Sequence, residues 1–128
     1  MAVLATVGAG GPVAIPVSAI WRRDAGCVLL ALARRRASVG RLRDDPRVAL
    51  SLNGPGFSVC VEGDARVAAD PLPGADAMVA FAVDVRHAWD ARGPATEVDA
   101  GIRWRWTADD AADRHAGVLA ALEALARV

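Results

Sequence analysis

Ser58-Val59-Cys60-Val61-Glu62-Gly63-Asp64-Ala65-Arg66-Val67 carries the clearest alternation in the chain: Val59, Val61, Ala65 and Val67 fall on one face, and Ser58, Glu62, Asp64 and Arg66 on the other. Strand side chains point to opposite faces at successive residues, so this period of two predicts a long strand, half buried and half exposed. Asn53-Gly54-Pro55-Gly56 supplies the turn before it, and Val48 to Leu52 reads as the strand before that turn.

Outward toward the N-terminus the pattern is again strand and turn. Met1 to Val7 is a compact apolar run, Gly8-Ala9-Gly10-Gly11 is a turn, and Val13, Ile15 and Val17 alternate with smaller or polar neighbours up to Trp21, which predicts a hairpin. Arg22-Arg23-Asp24-Ala25-Gly26 makes the next turn. Cys27 to Ala33 is a third strand, apolar on both faces and therefore buried on both. Ser38 to Arg43 forms a short helix that stops before Asp45-Pro46, because the residue preceding a proline avoids helical angles.

Toward the C-terminus, Asp70-Pro71 reads as a cap and first-turn proline, with Met78, Ala82, Val85 and Trp89 at helical spacing behind it. Gly93-Pro94 breaks that helix. Ile102, Trp104 and Trp106 alternate with Arg103, Arg105 and Thr107 as a sixth strand. Thr107 to Asp110 fits a capping box that opens a last helix with Leu119, Leu122 and Ala126 on its apolar face. Five consecutive strands, a helix and a returning strand predict a mainly β chain: a small antiparallel barrel with helices packed outside, one domain over residues 1–128.

The chain's 128 residues, 54% hydrophobic and 23% charged, have the balance of a globular domain able to fold without disulfides or a structural metal. Cys27 and Cys60, with no CxxC spacing, read as buried thiols. No apolar run reaches the 18 or so residues that span a bilayer, and no export signal is legible at the start, so a cytoplasmic protein without membrane contact is expected. His87 and His115 stand apart from any HxxxH or HExxH pattern and read as helix-surface residues, leaving no metal site. No GxSxG motif is present, and neither cysteine has a histidine nearby in sequence, so no nucleophile and no catalytic residue is assigned.

The net charge is zero, but its distribution is uneven. Between Arg34 and Arg47, six arginines stand against Asp44 and Asp45, a local excess of four positive charges in a chain whose remainder carries four negative ones. Every basic residue is arginine, as codon bias in a GC-rich genome would produce. Arg34, Arg35 and Arg36 follow a buried strand, and Ser38 opens the short helix whose free N–H groups point back to the same place. Guanidinium forks, a serine hydroxyl and a helix end suit a phosphate; a solvated basic loop is the alternative. Nucleic-acid binding needs aromatic or base-reading side chains beside the basic stripe, and there are none from Arg34 to Arg47. Trp104 and Trp106 share a face; they read as indoles covering the barrel or a dimer contact, with a place over a substrate or flavin edge as the alternative. Trp89 reads as packing.

Leu4-Ala5-Thr6-Val7, the glycine turn, Pro12 to Val17, the third strand, Arg36 and Ser38 leading to Arg41-Leu42-Arg43-Asp44-Asp45-Pro46-Arg47-Val48, and Val61 to Val67 follow one another as in a known group. In this order and spacing, residues 3 to 70 resemble the split-barrel flavoproteins, which include the pyridoxamine 5'-phosphate oxidase-like proteins and the F420-dependent reductases. The resemblance implies a six-stranded antiparallel Greek-key split β-barrel, a homodimer, and FMN held between subunits, with the deazaflavin F420 as the alternative cofactor. It places Pro16, Val17 and Ser18 along the flavin ring and Arg36 to Ser38 at the phosphate. The family often has a basic residue where this chain has Ser38, so Arg34, Arg35 or Arg36 is expected to replace it, and the tail of F420 would follow Arg41 and Arg43. The implied activity is hydride exchange with a small organic substrate; a non-enzymatic flavin or haem binder is the alternative.

Overall fold

The computed structural model describes residues 1–128 as one antiparallel sheet of seven strands with two helices. The strands are β1 (Ala2–Gly8), β2 (Gly11–Val17), β3 (Ile20–Asp24), β4 (Cys27–Ala33), β5 (Arg47–Gly54), β6 (Phe57–Ala69) and β7 (Met78–Asp90). Helix α1 (Ala37–Asp44) joins β4 to β5, and α2 (Ala111–Ala126) closes the chain. The order across the sheet is β2-β1-β5-β6-β7-β4-β3.

That order forces the sheet to curl. The two edge strands, β2 and β3, are consecutive in sequence and joined only by Ser18 and Ala19. Six inter-strand steps of about 4.8 Å would put the edges of a flat sheet about 29 Å apart, whereas the chain from Val17 to Ile20 reaches at most about 11 Å. The edges must therefore meet. They meet without pairing, since β2 bonds only to β1 and β3 only to β4, and the result is an unclosed, split barrel. The register of β6 against β7 shifts between Glu62 and Gly63 and again between Val67 and Ala69, and such bulges bend and twist a strand. Gly63 is required at the first: a Cβ there would strike the Asp84 carbonyl.

Two apolar clusters fill the fold. The first is the barrel interior, with Leu4, Leu30, Leu32, Leu50, Phe81 and Val83 among its members, and Val39 and Leu42 of α1 belong to it. The second lies on the outer face of β4 and β7, where Cys27, Leu29, Ala31, Ala80 and Ala82 meet Ala121 and Leu122 of α2. Alanines on that face let the helix come close. Strands β4 and β7 are therefore buried on both sides, as the unbroken apolar run of Cys27 to Ala33 predicts.

Several expectations are corrected. There are seven strands, not six: the strand expected from Val13 to Trp21 is broken at Ser18-Ala19, Met78 to Asp90 adds one, and the one expected at Ile102 to Trp106 is not formed. Met78 to Trp89 is a strand rather than a helix. The helical spacing of Met78, Ala82, Val85 and Trp89 is outweighed by Val79-Ala80-Phe81-Ala82-Val83, which pairs with β4 on one side and β6 on the other. No helix follows Asp70-Pro71. Ile102 to Trp106 forms no strand, and Trp104 and Trp106 instead pack on each other and on His115 of α2. The last helix is capped at Asp110, not Thr107, and no side chain bonds its first N–H groups. On β6 the inner set keeps Val61 and Ala65, while Val67 is exposed and Ser58 is buried. Cys27 is buried, Cys60 is half-buried, and both are free thiols. No helix is long and apolar enough to cross a membrane.

Candidate functional site

The joint between the two edge strands forms the floor of a cleft of about 320 Å³. Val17, Ser18 and Ala19 come from the joint, Ala31 and Ala33 from β4, and Arg36 from the loop before α1. Trp106 and the α2 residues Ala111, Arg114, His115 and Val118 make the opposite wall. Ser18 lies outside both strands, and its N–H and C=O enter none of the backbone hydrogen bonds formed outside the regular elements. The neighbouring Ala19 carbonyl, by contrast, accepts from the Ala31 N–H at 3.0 Å. An uncommitted peptide group in a largely apolar slot is the kind of polar point that orients a planar ligand.

The expected site residues separate into two groups. Val17, Ser18 and Arg36 line the cleft together. Arg36 is exposed and, like Arg35, lies within ion-pair distance of no carboxylate. The others are placed elsewhere. Pro16 is exposed on the edge strand β2 and does not line the cleft. Arg34 is bound to Asp70, whose Oδ1 sits 2.6 Å from Arg34 Nη2 while its Oδ2 sits 2.6 Å from Arg43 Nη2. Arg41 donates from Nε to Thr6 Oγ1 at 3.0 Å, lying over β1. Arg47 forks onto Asp45, at 3.0 Å from Nε and 2.7 Å from Nη2, and holds that carboxyl down to about 2. Within the segment only Arg47 is paired from inside, by Asp45; Asp70 holds Arg34 and Arg43 from outside it, Arg41 bonds a neutral hydroxyl, and Arg35 and Arg36 have no side-chain partner.

Ser38 occupies a different position from the one its sequence context suggests. It is buried, and its Oγ is a buried side-chain polar atom with no hydrogen-bond partner. That oxygen is shielded from solvent, so it meets an anion only if the turn before α1 moves. A buried unmatched hydroxyl costs about 1–3 kcal/mol, and an acceptor arriving beside it would recover part of that. Of the residues that suit a phosphate, Arg36 lines the cleft, while the orphaned Ser38 hydroxyl is buried in the first turn of α1, outside the cleft lining.

Trp106 and His115 were not expected here. Trp106 packs edge-on to Trp104 with centroids 4.6 Å apart, and both indoles face His115, at 5.0 Å and 6.0 Å. Burial pushes the His115 imidazole below its ordinary value, which favours its neutral form. The expectation of a surface histidine fails for His115, which is half-buried; His87 is exposed, on a strand, and stacked on Trp89 at 5.0 Å. A signal for His115 exists in the sequence: Ala111, His115, Val118 and Leu122 recur at spacings of four, three and four, which sets the histidine on the apolar stripe of α2.

An unclosed antiparallel barrel with its cleft at the unpaired seam is the split-barrel fold of the pyridoxamine 5'-phosphate oxidase-like proteins. No protein-family model matches the chain, and no curated protein matches it by sequence. Among solved structures, a pyridoxamine 5'-phosphate oxidase-like protein from Listeria innocua is similar at 14% identity over 70% of this chain and 86% of its own, with a TM-score of 0.59. An F420 reductase aligns at 19% identity over 69% of this chain and 87% of its own, also at a TM-score of 0.59. The styrene monooxygenase flavin reductase from Pseudomonas putida aligns at 15% identity over 70% and 79% of the two chains, at a TM-score of 0.52. At these identities the likeness is one of fold.

Proposed function

We propose that this chain binds FMN at the seam cleft and exchanges a hydride between the flavin and a small organic molecule. The observation that carries the reading is the meeting, in one cleft, of an uncommitted Ser18 peptide, apolar walls and the unpaired Arg36 guanidinium. The flavin supplies the redox chemistry. The residues of this chain orient it: Ser18 offers an N–H and a C=O to ring heteroatoms, Val17, Ala31 and Met78 exclude water, and Arg36 neutralises the phosphate. Trp106 and His115 form the wall opposite the joint, where a substrate would approach. Structural neighbours that include a flavin reductase and an F420 reductase support a flavin or deazaflavin in this fold.

FMN is favoured over F420 because Arg43, which with Arg41 would follow an acidic tail, is already paired with Asp70, and Arg41 is turned onto Thr6. FMN needs one phosphate site. A carboxylate tail along exposed arginines would be screened within about 8–10 Å at physiological salt. Absorbance of the purified protein is the first test: FMN gives two visible bands, haem a Soret band, and an empty barrel neither. Titration of both cofactors into apo-protein at low and high salt is the second. The expected result is FMN binding with a weak salt dependence; tight, salt-sensitive F420 binding that falls again on Arg41→Ala or Arg43→Ala, with no FMN binding, overturns it. A Soret band with no flavin binding would favour the haem-binding alternative, for which His115 in the cleft is the available imidazole.

The cleft is open to solvent and, at about 320 Å³, near the lower end of ligand-site volumes. We therefore infer a homodimer in which the second chain completes the cofactor's surroundings. Sedimentation at micromolar concentration should give a dimer, and a monomer that still binds FMN would contradict this arrangement.

A further inference from the structure

The barrel interior has two ends, and they are finished differently. At one, Val39 and Leu42 of α1 are buried in the interior cluster. At the other nothing is seated: Ile20, Val28, Leu52, Val59 and Val85 belong to the same cluster yet remain only partly buried. Together with Val61 they line a cavity of about 590 Å³, drawn from five strands and sharing no residue with the seam cleft. At its rim Phe57 is 46% exposed.

The rim also carries charge. Asp24 is spoken for, accepting from the Gly26 N–H at 2.8 Å and from Arg23 Nε at 3.1 Å. Arg22, next to it on β3, makes only a long contact of 3.4 Å from Nε to the Asp24 carbonyl and pairs with no carboxylate. Its remaining N–H groups face solvent at the edge of an apolar hole. Arg22, Arg23 and Asp24 together leave one positive charge uncompensated there.

We propose that this mouth is a second binding site, for an amphipathic monocarboxylate of medium chain length, with the alkyl chain in the barrel end and the carboxylate on Arg22. Its volume lies within the range of small-molecule sites, its walls offer no polar group that a second hydrophilic function could use, and its single free cation matches a single anionic head. A second copy of this chain would fill the void only by seating a protruding side chain in it, since a two-fold contact sets residue i against residue j; the unpaired Arg22 beside an apolar hole favours the monocarboxylate.

Amide chemical-shift mapping of the whole protein against hexanoate, octanoate, decanoate and decanol tests the assignment. Shifts should centre on Ile20, Val28, Leu52, Val59 and Val85. Affinity should tighten about fourfold per added methylene, the increment for burying one CH₂. Decanoate should bind about tenfold more tightly than decanol, and Arg22→Ala, at an exposed position, should erase that difference. Val59→Trp, which fills the mouth, should abolish decanoate binding and leave the FMN titration unchanged. No saturable binding of decanoate, shifts located at Ser18 and Arg36, or a flat chain-length series overturns the proposal. So does an apolar mouth that is protected by a second copy and excludes decanoate.

Discussion

Arg36→Ala is expected to weaken FMN binding by about tenfold to a hundredfold while leaving riboflavin binding close to unchanged. Riboflavin is FMN without the phosphate, so the pair isolates the interaction that Arg36 makes with the anion. A hydrogen bond to a charged group contributes roughly 1.5–3 kcal/mol, which is that range of dissociation constants. Arg36 is the residue to test because it lines the cleft, whereas Arg34 is engaged with Asp70, Arg41 with Thr6, and Arg35, though unpaired, lies outside the lining. It is also exposed and outside the core, so its loss should not unfold the chain. Equal losses for the two ligands, read by fluorescence titration, would mean that Arg36 acts on the loop and not on the phosphate.

The second large effect is on stability. Phe81→Ala should cost about 3–5 kcal/mol in denaturant unfolding, a large part of the roughly 5–15 kcal/mol that holds a domain together. Phe81 is 1% exposed and heads the fully buried side chains by size. Its strand β7 lies between β4 and β6, where Phe81 pairs with Leu30 and Val67, so a cavity there cannot be filled by movement of an edge. A loss below about 1 kcal/mol would show that the β7 interior is not the centre of the barrel.

The same strand marks the limit of what the sequence discloses. Residues 1–69 follow alternation or short apolar runs between glycine turns, and the strands and α1 read there are found, except that Val13 to Trp21 is divided at Ser18-Ala19 and β3 runs on through Arg22 to Asp24, where a turn is expected. Residues 78–90 carry two signals at once. Val79, Phe81 and Val83 face the barrel while Ala80 and Ala82 face α2, and a strand buried on both sides loses its period of two. Met78, Ala82, Val85 and Trp89 then mimic a helix. Length and β-branching around Phe81 favour a strand, but spacing alone does not. For the site, the resemblance names Val17, Ser18 and Arg36, and the structure brings these three to one cleft: Val17 ends β2, Ser18 lies in the joint and Arg36 precedes α1. Trp106 and His115 come from a segment whose contacts with the seam are long-range, and Asp70 claims Arg34 and Arg43 across 36 and 27 positions. No local pattern reports such contacts.

The meeting of β2 and β3 without pairing has a cause in β2 itself. Pro12 and Pro16 stand four positions apart, hence on the same parity of the strand, and both pair across to β1 at Val7 and Val3. A proline has no N–H to give, so it is tolerated only where that position points away from the neighbouring strand. Both blanks therefore fall on the free side of β2, leaving Ala14 as the donor between them. An edge so poor in donors cannot zip onto β3 to seal the barrel, nor recruit a strand from another chain. Replacing the two prolines would restore the missing half of a ladder and invite the seam to close over Ser18: the cleft persists because two imino acids keep one edge of the sheet from being adhesive.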